Sequence, residues 1–309
     1  MSKLSRRRVL LAKVESTYGV DAVPTGADNA ILIEDLNWSM DRLRLVERPA
    51  IRSSIGTLQQ LYGGSLQAAS FTVEVKGSGT AGTAPEIGVL LRGCAMAENI
   101  VASTSVTYLP ASASQASLTL YIYEDGTLTK LLGARGTVDF TGATGGRLMA
   151  NFSFTGHFTG PADTALATPT YDSAVPAVLI GGSFSIGSFA AVIESMNFSL
   201  GNELGVPPDI NAADGYAEVH VIGRDVNGSI NPEQPLVATA AFLADLKSGT
   251  TRAFDSGTFG AVGNQFRVQM PSVYYRDISP GEREGVLFYE LPFGAVESTT
   301  DDEISLAFT

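Results

Sequence analysis

Residues 118–132 read Leu118-Thr-Leu-Tyr-Ile-Tyr-Glu-Asp-Gly-Thr-Leu-Thr-Lys-Leu-Leu132. Two runs rich in apolar, β-branched and aromatic residues flank Asp125-Gly126, a connection that supplies the positive φ a tight hairpin needs. The stretch therefore predicts two adjacent antiparallel strands. The same kind of alternation marks strands at 30–46, 68–76, 117–123, 129–140 and 147–158. Segment 85–97 departs from it: Pro85 stands at a tolerated first-turn position, and Ile87, Leu90, Leu91 and Cys94 recur at helical spacing, so an amphipathic helix is expected. From Thr159 to Pro176, with Pro161, Pro169 and Pro176 among Ala, Thr and Asp, no period survives, and the segment reads as a linker.

Beyond the linker the pattern returns. Leu36-Asn37-Trp38-Ser39-Met40 matches Met196-Asn197-Phe198-Ser199-Leu200 at an offset of 160, with Asn and Ser held between apolar residues of one strand face. Val73-Glu-Val-Lys-Gly77 parallels Val219-His-Val-Ile-Gly223 at an offset of 146, and Pro85 parallels Pro232 at 147. A second helix is expected through Ala238, Ala241, Phe242, Asp245 and Leu246, stopped by Gly249. Each half then closes with a strand pair, 129–158 and 265–293, the latter turning at Ser279-Pro280-Gly281. The fall in offset places about 14 extra residues within 41–67 of the first half. That loop carries Arg42, Arg44, Arg48 and Arg52 among Leu43, Leu45, Val46, Leu58 and Leu61, too apolar for an idle connection. It is expected to pack on another subunit, the alternative being a long hairpin folded back on its own sheet.

Composition narrows the chemistry. The 309 residues, 44% apolar, suffice for two ordinary domains or one large β domain. Thirty-three Gly and only 17% charged residues suit short strands and many turns. With 20 basic against 32 acidic residues the net charge is −12, opposite to that of a duplex-binding or membrane-surface protein. Two histidines and one cysteine exclude a disulfide scaffold and a zinc site built on several such ligands. No run approaches the roughly 18 apolar residues of a membrane helix. Residues 1–52 hold nine of the basic residues, and Ser5-Arg6-Arg7-Arg8-Val9-Leu10-Leu11 invites an export reading. The apolar stretch stops at Lys13 with no small-residue cleavage site after it, so a basic arm leading into a strand is expected instead.

Taken in order, the motifs resemble the major tail tube protein of long, non-contractile-tailed (siphovirus-type) bacteriophages. They are Leu11-Ala-Lys-Val-Glu-Ser-Thr-Tyr-Gly19 ahead of Pro24-Thr-Gly26, Val73–Gly77 before the Pro-started helix ending near Leu90-Leu-Arg-Gly-Cys94, and Leu118–Gly126. Gly133-Ala-Arg-Gly-Thr-Val138 and Phe152-Ser-Phe-Thr-Gly156 complete a resemblance over residues 8–160. Gly281-Glu-Arg-Glu-Gly285 through Pro292-Phe293 is similar to what closes the later part of such proteins. The order carries it, since no single motif is diagnostic. The resemblance implies a mainly β fold of two tandem tail-tube-like β-sandwich domains, each with one flanking α-helix: 1–160 with an N-terminal arm and the loop 41–67, a linker 161–176, and 177–309. It further implies a virion protein made in the host bacterial cytoplasm, without catalysis, cofactor or metal, that forms stacked rings around passing genome.

The partners implied are the chain itself, stacked rings, other tail proteins, and double-stranded DNA as transient, non-specific cargo, with no membrane. Because rings of this family mostly hold six domains, a trimeric ring with pseudo-sixfold order is favoured over a hexamer. The contact candidates are Arg6, Arg7 and Arg8 of the arm, Arg42, Arg44, Leu45, Arg48, Arg52, Leu58 and Leu61 of the loop, and Asp301, Asp302 and Glu303 as acidic counterparts on a neighbouring ring. Exposed ion pairs give under about 1 kcal/mol each, so they would set register more than affinity. The other function considered is a tandem β-sandwich binding module of baseplate or carbohydrate-binding type.

Several motifs invite other chemistry. Gly77-Ser-Gly-Thr-Ala-Gly82 fits a dinucleotide fingerprint, with Glu98 downstream, but Pro85 starts its helix after the third glycine and no series of βα units follows. His157 and His220 lie in strand patterns and Cys94 on an apolar helix face, where core roles are expected. Asp209, Asp214 and Asp225 with Asn211 and Asn227 offer hard oxygen ligands, yet their spacing fits no defined calcium loop.

Overall fold

The hairpin at Asp125-Gly126 forms as its residues dictate. Asp125 (φ 37°) and Gly126 (φ 100°) take the left-handed region, and Glu124 faces Thr127 across the turn. It belongs to a computed structural model that describes residues 3–309, so the first two residues of the expected unit 1–160 lie outside the described residues. The first half contains β1 (Arg8–Val14), β2 (Ala30–Ile31), β3 (Glu34–Asp41), β4 (Leu45–Val46), β5 (Leu61–Tyr62), β6 (Leu66–Glu74) and α1 (Gly88–Gly93). It continues with β7 (Met96–Val101), β8 (Ser105–Pro110), β9 (Leu118–Glu124), β10 (Thr127–Ala143) and β11 (Met149–Asp163). The second contains β12 (Ser185–Ile186), β13 (Ser195–Ser199), β14 (Asn202–Gly205), β15 (His220–Arg224), β16 (Asn227–Ile230) and α2 (Phe242–Ser248). It ends with β17 (Arg252–Phe259), β18 (Phe266–Tyr275), β19 (Ser279–Arg283), β20 (Val286–Ala295) and β21 (Ser305–Phe308).

All paired strands are antiparallel, and the chain is mainly β. In the first half β1, β9, β10, β11, β6 and β3 lie side by side in that order. In the second, β12, β17, β18, β20, β16 and β13 repeat it. The register corresponds too: Trp38 faces Ala69, which faces Phe154 on its other side, and Phe198 faces Gly228, which faces Phe293. Inward-facing aromatics fill both sheets. Phe71 stacks on Phe152 and Phe154 with centroids 5.9 Å apart, and Phe254 packs on Phe293 at 5.7 Å. Each such ring, buried, contributes roughly 1.5–3 kcal/mol.

Four sequence expectations change. Asn37 faces Ser70 and Asn197 faces Ser229, so the strand after the loop in the second half is β16, not the Val219–Gly223 segment, and the loops 42–65 and 201–226 match in length to within a few residues. The offset of 146 arose because Val219–Gly223 has strand-like residues but lies in the hairpin β14–β15 within the second loop. Ser279-Pro280-Gly281 is not a turn: it runs as β19 beside β20, and the chain reverses at Glu284-Gly285 (φ 51° and 83°). The first helix stops at Gly93, since Ala95 (φ 57°) redirects the backbone and Met96–Val101 pairs with β8. The segment 161–176 starts inside β11, which runs to Asp163, and its Leu166 and Ala167 pack on the cluster of Val9, Leu11 and Tyr123.

Pairing of named strands joins the halves at two places. β13 adds to β10, and the C-terminal β21 inserts between β8 and β18, with Leu306 facing both Tyr108 and Val268. One main core cluster therefore runs through both halves, from Leu10 and Phe71 to Phe293 and Phe308.

Candidate assembly surface

The most informative contact is the junction between the halves. Strand β9 covers the outer side of β10 only as far as Leu118, opposite Ala134. Past that point β10 is open, and β13 takes its place from Asp139 facing Ser199 to Ala143 facing Ser195. The Leu200 N–H donates to the Val138 carbonyl (3.1 Å) and the Thr144 N–H to the Glu194 carbonyl (2.8 Å) at its ends. Phe140 and Phe198 stack across the pair with centroids 4.6 Å apart. Pairing of this kind satisfies a row of backbone groups that would otherwise present an unprotected edge.

The loop after β13 then folds over the first half. Asn202 donates through Nδ2 to the carbonyls of Cys94 (2.7 Å) and Gly136 (2.9 Å). Arg135, with a nearly buried guanidinium, donates to the carbonyls of Gln115, Ala116 and Val219 and pairs with Glu218 at 2.7 Å. Gln115 exchanges hydrogen bonds with the Val221 backbone. Tyr18 accepts from the Val219 N–H at 2.7 Å, and burial pushes its hydroxyl up to about 12. Strand pairing positions this loop, and the side chains then lock it.

Among the described residues, two edges at the outer ends of the halves have no such partner. β3 pairs only with β6, leaving Trp38 37% exposed where the corresponding Phe198 is 2% exposed. β19 pairs only with β20, leaving Ser279, Pro280 and Glu282 exposed, where Phe140 on the corresponding strand is buried. The first loop, with its short hairpin β4–β5, lacks the second loop's supports. It touches the second loop through the Tyr216 hydroxyl on the Arg42 carbonyl (2.6 Å) and Arg44 over the Tyr216 ring (4.4 Å), while Ile51 and Ile55 stand fully exposed.

The sequence candidates fall into three groups. Arg7 and Arg8 of the arm pair with Asp125 (2.8 Å) and Glu124 (3.1 Å), Arg8 also donates to the Leu36 carbonyl, and Arg6 is exposed. In the loop, Leu45 faces Tyr62 and Leu61 faces Val46 across the β4–β5 hairpin, both leucines half exposed, and Leu58 is half-buried. Arg48 is exposed, Arg52 donates to carbonyls of its own loop, and Arg42 reaches the Leu204 carbonyl. Asp301 and Glu303 are held inside the chain by Arg224 at 3.0 and 2.7 Å, so neither is a free counterpart for arginines elsewhere. Asp302 accepts from the side chains and N–H groups of Ser298 and Thr299, which hold its carboxyl down at about 2. The sequence missed Arg135, Asn202 and β19; an Arg in a strand pattern and a Pro-Gly pair gave signals, but each was open to a commoner meaning.

The remaining chemistry stays structural. Glu297, Asp301 and Glu303 gather carboxylates, but the Arg224 guanidinium already neutralises two of them. Asp214 binds His157 Nδ1 at 2.5 Å and Asp225 pairs with Arg276, so these acids do not converge. Burial pushes the Cys94 thiol well up, which removes its nucleophilic form. A Cβ on Gly77 would lie 2.7 Å from Asn264 Cα, so that glycine serves a close backbone approach. Among the described residues no helix is long and apolar enough to cross a membrane.

A family model described as phage tail tube protein matches residues 5–308. No curated protein matches the chain.

Proposed function

The chain belongs to the phage tail tube protein family, and on that premise we propose that it forms rings that stack into the conduit for genome ejection. Membership makes it a structural component of the virion tail, which points away from catalysis. The observation that carries the finer reading is the junction inside the chain. One half extends the sheet of the other through β10 and β13, and the corresponding edges, β3 and β19, remain open at the outer ends. Edges that complement each other head to tail close only in a ring, and rings that stack by a non-closing contact give a tube.

With two corresponding halves per chain, three copies supply six units, so a trimeric ring with pseudo-sixfold order is preferred to six copies carrying their second halves outside. The loop 42–65, with Leu45, Leu58, Leu61 and its arginines, packs on a neighbouring copy. DNA passes as non-specific cargo, and a net charge of −12 disfavours the counterion-releasing contacts that would retard it. Light scattering and negative-stain microscopy of the purified chain at rising concentration test the reading. Rings or tubes are expected; discrete monomers or dimers throughout would reject it in favour of a binding module.

A further inference from the structure

We propose that the contact between copies is strand pairing of β19 of one copy with β3 of the next, antiparallel, with Ser279 opposite Ser39, Pro280 opposite Trp38 and Gly281 opposite Asn37. The inference rests on the ring reading above and goes beyond it by fixing a register.

The register follows from the repeat. Phe154, four residues past Ala150, shares the place of Phe293, four residues past Tyr289, because both oppose corresponding residues of β6 and β16. Ala150 faces Phe140 and Tyr289 faces Pro280. Pro280 thus stands where Phe140 stands, and Trp38 where Phe198 stands. Phe140 opposes Phe198 within the chain, so Pro280 is left to oppose Trp38 of another copy. The openings correspond as well: β17 stops covering β18 at Arg252 opposite Val273, as β9 stops at Leu118 opposite Ala134.

Backbone direction agrees. The two-residue turn Glu284-Gly285 makes Arg283 and Val286 a hydrogen-bonded pair, so Arg283, Gly281 and Ser279 direct their backbone groups at β20 while Pro280 and Glu282 direct theirs outward. Pro280 brings no N–H to that outward side, so its pair with Trp38 makes one ladder bond rather than two, a loss a proline-bearing strand tolerates at an edge. The Pro280 carbonyl remains free to accept the Trp38 N–H, and the pyrrolidine ring has the apolar face of the indole to cover. Trp38 already has its indole N–H directed to Glu124 Oε2 (3.0 Å), which fixes the ring at the edge. The Leu36 carbonyl, farther along β3, is engaged by Arg8 and must share its second lone pair with the incoming strand.

The experiment pairs Ser39→Cys with Ser279→Cys in the full chain. Both serines are exposed, and non-hydrogen-bonded partners across antiparallel strands bring their Cβ atoms within disulfide reach. Mild oxidation is expected to convert the doubly substituted chain into a covalent ladder on a non-reducing gel. The single variants, and Ser39→Cys with Pro280→Cys, whose side chains lie on opposite faces, are expected to stay monomeric. A second readout needs no substitution: Trp38 is the only tryptophan, and assembly should shift its emission to the blue and shield it from acrylamide. Rings in micrographs without the ladder, or with unchanged tryptophan emission, would overturn the register while leaving the ring reading intact. Absence of rings from the unsubstituted chain would overturn both.

Discussion

Replacing Phe198 by Ala tests whether the junction between the halves stabilises the single chain. The ring is 2% exposed and stacks on Phe140 at 4.6 Å with planes 18° apart. Truncating a buried Phe costs about 3–5 kcal/mol, of which the stacked pair accounts for about 0.5–1.5 kcal/mol. At an unfolding entropy near 2.1 cal/mol/K per residue, a chain of this length loses about 1.5 °C per kcal/mol, so Tm should fall by about 5–8 °C. Trp38 occupies the corresponding place but is 37% exposed, and Trp38→Ala should cost only about 1–2 kcal/mol, or about 2–3 °C. Far-UV circular dichroism melts below the assembly concentration give both values. A Phe198→Ala shift no larger than that of Trp38→Ala would refute the claim that β10 and β13 cover each other within one chain while β3 stays open. The complementary outcome is that Trp38→Ala, more than its small loss of stability warrants, weakens ring formation in light scattering.

Arg135→Ala should cost about 3 kcal/mol in urea unfolding, because it leaves three carbonyls and Glu218 without their donor. Arg135→Lys should recover little of that, since one ammonium cannot span the same acceptors, and an Arg135→Lys variant as stable as the parent would contradict this. Asp302 should titrate near 2 by carboxyl NMR, held down chiefly by the Ser298 hydroxyl. Its ordinary value is about 3.9, so its stabilisation of the 298–302 turn is complete above about pH 4 and is lost as pH falls towards 2. A midpoint near 4 in the folded protein would contradict that. Ile51→Asp with Ile55→Asp should leave the single chain's melting within about 0.5 kcal/mol, both side chains being fully exposed, yet raise the concentration needed for assembly. Unaltered assembly would remove the loop from the contact.

Local chemistry made much of the fold legible. Alternation in Leu118–Leu132 and the Asp125-Gly126 turn act between neighbours, so hairpin β9–β10 could be read directly. The Gly249 stop after α2 was equally local, with φ 67° in the left-handed region. The match of Leu36–Met40 with Met196–Leu200 also survived into corresponding strands, because the same inward and outward residues suit the same sheet position. The site was less legible. Arg42, Arg44 and the exposed leucines mark the loop, while Asp301 and Glu303 are held by Arg224, 77 and 79 residues away, a pairing that no local pattern carries.

What the sequence determined by itself was the alphabet of strands, the tight turns and the presence of a repeat, since each depends on residues a few positions apart. Which strand lies beside which was decided only in three dimensions. Val219–Gly223 and Asn227–Ile230 are both plausible partners for Met196–Leu200 by pattern, and packing against Phe293 selects the second. Ser279-Pro280-Gly281 reads locally as a turn, yet pairing with β20 draws it straight, and the proline's missing donor is harmless on an open side. A strand edge is open or covered according to neighbours that can lie far along the chain, and no local pattern encodes that distance.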